Sequence, residues 1–209
     1  MRTERGFERL VNFTDAVIAI AITLLVLPLV EIPGELRGGE SIVDIFRQYG
    51  GEFGAFVLSF LVIFTFWSTH HHNMEYFKGY DHLLVQLHMV FLFTVISLPF
   101  STQLLTAESN DRAVPFYIGT LLVSSLMLAA ISWRGRRKPE LLHADKAEVQ
   151  RWLHQPLSIY KPAVLLLALV VSLFLPTWGT WLLLLLIFDD LIDLIIARVR
   201  GLPPPDPDD

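Results

Sequence analysis

Three groups of residues in this sequence have types and spacings that could do chemistry. Arg9 and Asp15 stand at the head of an apolar run, RLVNFTDAVIAIAITLLVLPLV from Arg9 to Val30, in which Thr23 is the one polar interruption after Asp15. His70, His71, His72 and Asn73 follow Trp67, with Glu75 one helical turn beyond His71. Asp189, Asp190 and Asp193 interrupt an apolar run that ends at Arg198 and Arg200. Such groups could relay protons or hold a metal, since histidine is the commonest metal ligand and titrates near 6.5. Consecutive residues point in different directions on a helix, so only one or two of the three imidazoles could converge. A carboxylate within a membrane-length apolar helix costs roughly 2.5–3.5 kcal/mol to insert, so each marks a functional candidate. For the Asp189–Asp193 group, pairing with nearby arginines competes with an ion site.

The elements that must position these groups follow from composition. Of 209 residues, 53% are hydrophobic and only 18% are charged, against about 25% in ordinary soluble domains. The fold class read from this is an all-α integral membrane protein. The net charge of -5, with Lys and Arg confined to loops, points to no nucleic-acid partner. Cysteine is absent, so disulfides and thiolate chemistry are excluded. No phosphate-binding loop, nucleophile elbow or metal-protease motif occurs, so no enzymatic activity and no cofactor are expected.

A spanning helix needs about 20 apolar residues. Six segments meet that length, near residues 12–30, 53–69, 82–105, 115–133, 158–175 and 178–199. They make residues 1–200 one six-helix unit, followed by an acidic, proline-rich tail over 201–209 that is expected to be disordered. The alternation puts Arg2, Arg5, Arg9, Lys78, the run from Arg134 to Lys138, Lys146, Arg151, Lys161, Arg198 and Arg200 on one side. Only Arg37, Arg47 and Arg112 fall on the other. Positive residues mark the cytoplasmic side, so both termini are expected inside a cell inner (plasma) membrane.

On the first helix, about 100° per residue aligns Phe13, Ala16, Ile20, Thr23, Leu27 and Val30 in one stripe, with Leu24 on its flank. Taken alone this is a packing face. Thr23 is placed to bond its own Ala19 carbonyl, and Pro28 to kink the outer turn. Arg9 and Asp15 are about 9 Å apart along the axis and cannot pair with each other. An antiparallel second helix brings the segment from Trp67 to Asn73 level with Asp15, where an imidazole or amide could hold the carboxylate.

Arg9, Phe13, Thr14 and Asp15 resemble the Arg-x-x-x-Phe-Ser-Asp motif of the transmembrane protein 175 family, with threonine for serine as the single departure. The run from Ala16 to Leu27, the Trp67–Asn73 cluster and the six-segment plan resemble that family as well. Its animal members are lysosomal potassium channels, and its prokaryotic members are single six-helix units. The resemblance implies a homotetramer in which the first helix of each subunit lines a central pore. It implies an apolar constriction at Ile20, Leu24 and Leu27, with the Thr23 hydroxyl contributing to ion selection. Arg9, Phe13, Thr14, Asp15 and the Trp67, His70, His71, His72 and Asn73 group would then dock the first helix against its neighbours. The expected function is a modestly selective potassium channel with a hydrophobic gate and no carbonyl-type filter loop. Its partners are other copies of itself, the lipid bilayer and monovalent cations, with permeant K+ as cargo. Two competing readings are a proton-coupled transporter using Asp15, the histidines and the Asp189–Asp193 group, and a membrane metal enzyme built on the His70–His72 cluster.

Overall fold

Helix α1 (Glu4–Leu24) begins well before Asn12, where apolarity alone would start it. The added turns carry Glu4, Arg5, Glu8 and Arg9, good helix formers whose charged ends are exposed while Phe7 is buried. In this computed structural model, which describes residues 4–35, 41–106, 112–143, 145–154 and 159–175, the first predicted span is not one helix. Helix α1 stops at Leu24, and α2 (Leu27–Glu35) resumes after a break at Leu25 and Val26. Pro28 explains the position of this break. A proline is tolerated in the first turn of a helix but cannot donate back to the preceding turn, so the discontinuity falls below Pro28 and α2 starts around it. The end of α1 tightens, with Leu25 N–H donating to the Ile22 carbonyl at 3.3 Å and Val26 N–H to Thr23 at 3.4 Å.

A short helix, α3 (Ile42–Gln48), is started by a reciprocal cap. The Asp44 N–H donates to the Ser41 hydroxyl, and the Ser41 N–H donates to the Asp44 carboxylate, both at 3.2 Å. Helices α4 (Gly50–Glu75), α5 (His82–Thr106) and α6 (Ala113–Arg137) follow. A 3-10 turn (Pro139–Leu141), α7 (Ala147–His154) and α8 (Tyr160–Ser172) complete the described elements. The continuous stretch of α1 and α2, with α4, α5 and α6, gives four helical segments long and apolar enough to cross a membrane. At 25 residues α5 rises about 38 Å, enough for the hydrocarbon core and its margins. The chain is thus a multi-pass, all-helical membrane protein. Helix α8 is the 13-residue counterpart of the fifth expected span. The sixth, 178–199, with Asp189, Asp190 and Asp193, lies outside the described residues, as does the tail.

Helix α5 is the centre of the bundle, packed on α6 most extensively and on α1 and α4. Phe91, Val95 and Leu98 of α5 meet Ile18 and Ala21 of α1, Val62 and Ile63 of α4, and Tyr117 and Leu121 of α6. Lipid tails are as apolar as these side chains, so burial alone gives helices little reason to prefer one another in a membrane. Hydroxyl contacts add specificity. Ser59 bonds both Thr102 at 2.8 Å and Tyr117 at 3.0 Å, and Ser124 donates to Thr94 at 2.7 Å, all buried between helices.

The basic end is closed by the segment between α6 and α8. Its Leu141, Leu142, Val149 and Trp152 join Phe7, Met74, Phe77, Leu84 and Ile131 in a second apolar cluster. The backbone is stitched there by Lys78 N–H to the Leu141 carbonyl (2.8 Å) and His143 N–H to the Tyr76 carbonyl (3.0 Å), around a Phe77–Leu142 bridge. Arg134 and Lys138 converge on Asp81 in the α4–α5 connection, with Arg134 Nε donating at 3.1 Å and Lys138 Nζ at 3.4 Å. Partial burial works to raise the Asp81 pKa, but bonds from Arg134, the Leu84 N–H and Lys138 outweigh it and hold the carboxyl at about 2, below its ordinary 3.8. The bound form is the ionised one, so this clasp is complete above the unfolded pKa and lost as protons bind. Thermal stability in detergent should therefore fall between about pH 4 and pH 2, and Asp81→Asn should flatten that part of the profile. An unchanged slope in the variant would remove Asp81 from the acid response.

Candidate functional site

Both faces of α1 are apolar, so polarity does not tell them apart, but burial does. Thr14, Ile18, Ala21 and Leu25 are sealed against the bundle at 2% exposure or less. Ile20 (58%), Leu24 (39%) and Leu27 (52%), with Phe13 and Val30, form an exposed row on the other face. Thr23 is exposed within that row, and its hydroxyl donates to the Ile20 carbonyl at 2.7 Å. This bond runs to i−3 and not to Ala19 as expected, because the last turn of α1 is already tightening toward the break. With its proton committed, the Thr23 oxygen presents lone pairs alone to whatever faces it.

At the other end of α1 the polar residues separate by face. Thr14 is buried and its hydroxyl donates to the Leu10 carbonyl at 2.9 Å. Asp15 is half-buried and accepts the Trp67 indole N–H at 3.1 Å. The donor from α4 is thus an indole, in place of the imidazole or amide expected from sequence. Trp67 is itself held between Phe64 (5.7 Å) and His71 (5.2 Å). Arg9 and Phe13 face away from the bundle, both exposed, and no ion pair reaches Arg9 among the described residues. Removing the indole donor by Trp67→Phe should cost about 1–2 kcal/mol. A cycle with Asp15→Asn, followed by thermal unfolding, checks this: additive losses would mean that the two side chains are not coupled.

The three histidines diverge. His70 is fully buried, stacked on Phe91 with ring centroids 5.7 Å apart and edge-on to His88 at 5.2 Å. His71 turns outward, 3.9 Å from Glu75, and His72 pairs with the Tyr76 hydroxyl at 2.7 Å. Asn73 is buried at the same end of α4. Among the described residues no three His, Asp or Glu side chains gather as a metal site would require, so the histidine run does not assemble one there.

Sequence reasoning passed over His88, which the fold sets against His70. The signal was depth: in an antiparallel pair, both rings lie about a turn and a half from the α4–α5 connection. It also passed over the interhelical hydroxyls and the contact of Lys161 Nζ with the Thr69 hydroxyl (3.0 Å), which joins α8 to α4. Isolated serines and threonines on apolar helices carry no spacing signal, since many bond their own backbone.

A family model described as the endosomal/lysosomal potassium channel TMEM175 matches residues 9–99, the stretch from Arg9 through the histidine run to Pro99. A potassium channel of Streptomyces collinus is 29% identical over 141 residues, covering 64% of this chain and 66% of that protein. A potassium channel of Chamaesiphon minutus is 27% identical over 179 residues, covering 81% and 85%. The endosomal/lysosomal proton channel TMEM175 of Gallus gallus is 32% identical over 112 residues, 51% of this chain and 22% of that protein. The chain therefore spans just under two thirds of the Streptomyces relative and about a fifth of the Gallus one. A solved structure, that of a lysosomal potassium-selective channel TMEM175 homolog from Chamaesiphon minutus, shares the fold. Its TM-score is 0.67 at 23% identity, with 88% of this chain and 95% of that one covered.

Proposed function

We propose that the chain is a prokaryotic member of the transmembrane protein 175 family and a cation channel conducting potassium with modest preference. Its ion path is the axis of a homotetramer lined by four copies of α1. The observation that carries this reading is the exposed row of Ile20, Thr23 and Leu24 on α1, continued by Leu27 at the start of α2, opposite a face that is sealed into the bundle. In the ring of four, Ile20, Leu24 and Leu27 form an apolar constriction that gates by dewetting, and the Thr23 oxygens contact the ion. Arg9 and Phe13, exposed at the other end of α1, meet the neighbouring copy. Asp15 and Trp67 hold α1 to its own bundle. The basic end, with Arg134, Arg137, Lys138, Lys146 and Arg151, faces the cytoplasm of the cell inner membrane and carries the start of α1 with it.

Because the sequence contains no cysteine, single cysteines report without background. In planar bilayers under a potassium gradient, Ile20→Cys and Leu27→Cys channels should lose current to a water-soluble thiol reagent. Phe93→Cys, on an exposed apolar face of α5, should not. Block at Phe93 with none at Ile20 would move the ion path away from α1. Separate potassium, sodium and proton gradients identify the carried ion, a comparison motivated by the proton channel among the relatives.

A further inference from the structure

Helices α6 and α8 pack on each other but leave a groove between them. Ala129 and Ala130 of α6 and Ala163 of α8 are too small to fill it, and its volume of about 520 Å³ falls within the ~300–1,000 Å³ of ordinary ligand sites. Every residue lining the groove is apolar, and Leu126, Trp133 and Leu166 among them are exposed. On α6 the lining residues Leu122, Leu126, Ala129 and Trp133 recur every three or four positions, so they share one face. The next position on that face is Arg137, whose guanidinium carbon lies 5.5 Å from the centre of the Trp133 ring. Among the described residues no carboxylate pairs with Arg137, whereas Arg134 and Lys138 are drawn to Asp81 and Arg136 lies over Trp152 at 4.6 Å. From Leu122 to Trp133 the helix rises about 16 Å, one leaflet's share of a ~30 Å hydrocarbon core. Tryptophan settles at headgroup level, which puts the mouth of the groove at the bilayer surface of the basic end.

We propose that this groove seats an acyl chain of an anionic phospholipid whose phosphate meets Arg137 at the mouth. Two independent features choose that occupant. The hollow offers no polar group to a peptide backbone or a sugar, so hydrocarbon fills it without loss. Arg137 is a cation on an aromatic face with no protein counter-ion, and a guanidinium holds a phosphate through two parallel donors. A zwitterionic headgroup brings its own ammonium to answer the phosphate; an anionic one leaves that charge to Arg137. The seat uses no residue of α1, so it stands or falls separately from the pore reading.

The test uses the full chain in phosphatidylcholine vesicles containing phosphatidylglycerol brominated near the top of its acyl chains, with brominated phosphatidylcholine as the reference. Bromine quenches a neighbouring indole, and the quenching lost in Trp133→Phe isolates the signal of Trp133 from those of the other tryptophans. Half-maximal quenching of Trp133 should need several-fold less brominated phosphatidylglycerol than brominated phosphatidylcholine. Arg137→Gln should erase that preference while both lipids still quench. Ala163→Leu, at an exposed position of α8, should reduce quenching by both, and if it does not assemble, Ala130→Leu fills the same hollow from α6. Equal half-points in the parent protein, or a preference untouched by Arg137→Gln, would overturn the headgroup contact and with it the proposal. Quenching unchanged in the filled variants would put the lipid outside the groove. Trp133 unquenched by either lipid would mean that protein covers the groove, whether the sixth expected span or another copy of the chain, and would also overturn the proposal.

Discussion

Ile20→Asn should raise the potassium current through reconstituted channels by about tenfold, the change produced when a barrier falls by ~1.4 kcal/mol. Ile20 is the most exposed of the three residues in the proposed constriction and the farthest from the break. In the proposed ring of four, its side chain faces the axis from the straight part of α1. An aliphatic ring of that kind excludes water, and an ion crossing it must leave its hydration behind. An amide at the same position supplies both a donor and an acceptor, so the ring wets and the barrier drops. Leu27→Asn should act in the same direction with a smaller gain, because Leu27 lies beyond the break, at the start of α2. Ile20→Val keeps the surface apolar and should leave the current near that of the parent. Single-channel recordings separate unit conductance from open probability. Equal currents for Ile20→Asn and Ile20→Val would place the barrier elsewhere.

Gly135→Ala should destabilise the protein by about 1–2 kcal/mol although it replaces glycine inside a helix, a change that in the open would gain up to about 1 kcal/mol. A methyl at this position would lie 2.6 Å from the Phe77 ring and 3.2 Å from a Leu142 methyl. Neither neighbour can retreat freely. Phe77 is 3% exposed, its backbone is bridged to Leu142, and its ring stacks on Phe7 of α1 at 6.2 Å. Overpacking therefore exceeds the entropy gained. It also pushes on the start of α1 through Phe7, so in the proposed channel gating should shift along with the melting temperature. Phe77→Leu in the Gly135→Ala background frees the space and should recover part of the loss. A melting temperature at or above that of the parent in Gly135→Ala alone would mean that the ring moves aside without cost.

The first four spans were legible because membrane length and apolarity are properties of a segment by itself. Where a residue's role depends on a partner, legibility fell away. Helix α1 extends to Glu4 because charged helix formers are stable in water, where a hydropathy criterion stops counting. Pro28 was readable as a kink, but the break lies two residues before it, since a proline disturbs the turn that should bond to it. Asp15 was expected to meet an imidazole or amide of α4 and accepts the Trp67 indole N–H, since Trp67 and the histidines stood at similar depth. Only the rotation of α4 about its axis selects the indole. The stripe Ile20, Thr23 and Leu27 followed from periodicity, but periodicity could not say which apolar face would be buried. The basic-end clasp needed the fold outright, since Phe77 and Leu142 are far apart in the chain and nothing in either segment's pattern announces a bridge.

The hydroxyls of Ser59, Thr102, Tyr117, Thr94 and Ser124 have a consequence for assembly. Helices that enter a bilayer one at a time arrive as near-uniform greasy cylinders, free to slide and spin against each other with little change in contact energy. Each hydroxyl contact is satisfied at one height and one azimuth, so together they act as alignment marks. A slip of α5 by one turn, about 5.4 Å, would separate Thr102 from Ser59 and Thr94 from Ser124 at once. The whole bundle thus has a small number of points at which its threading is checked.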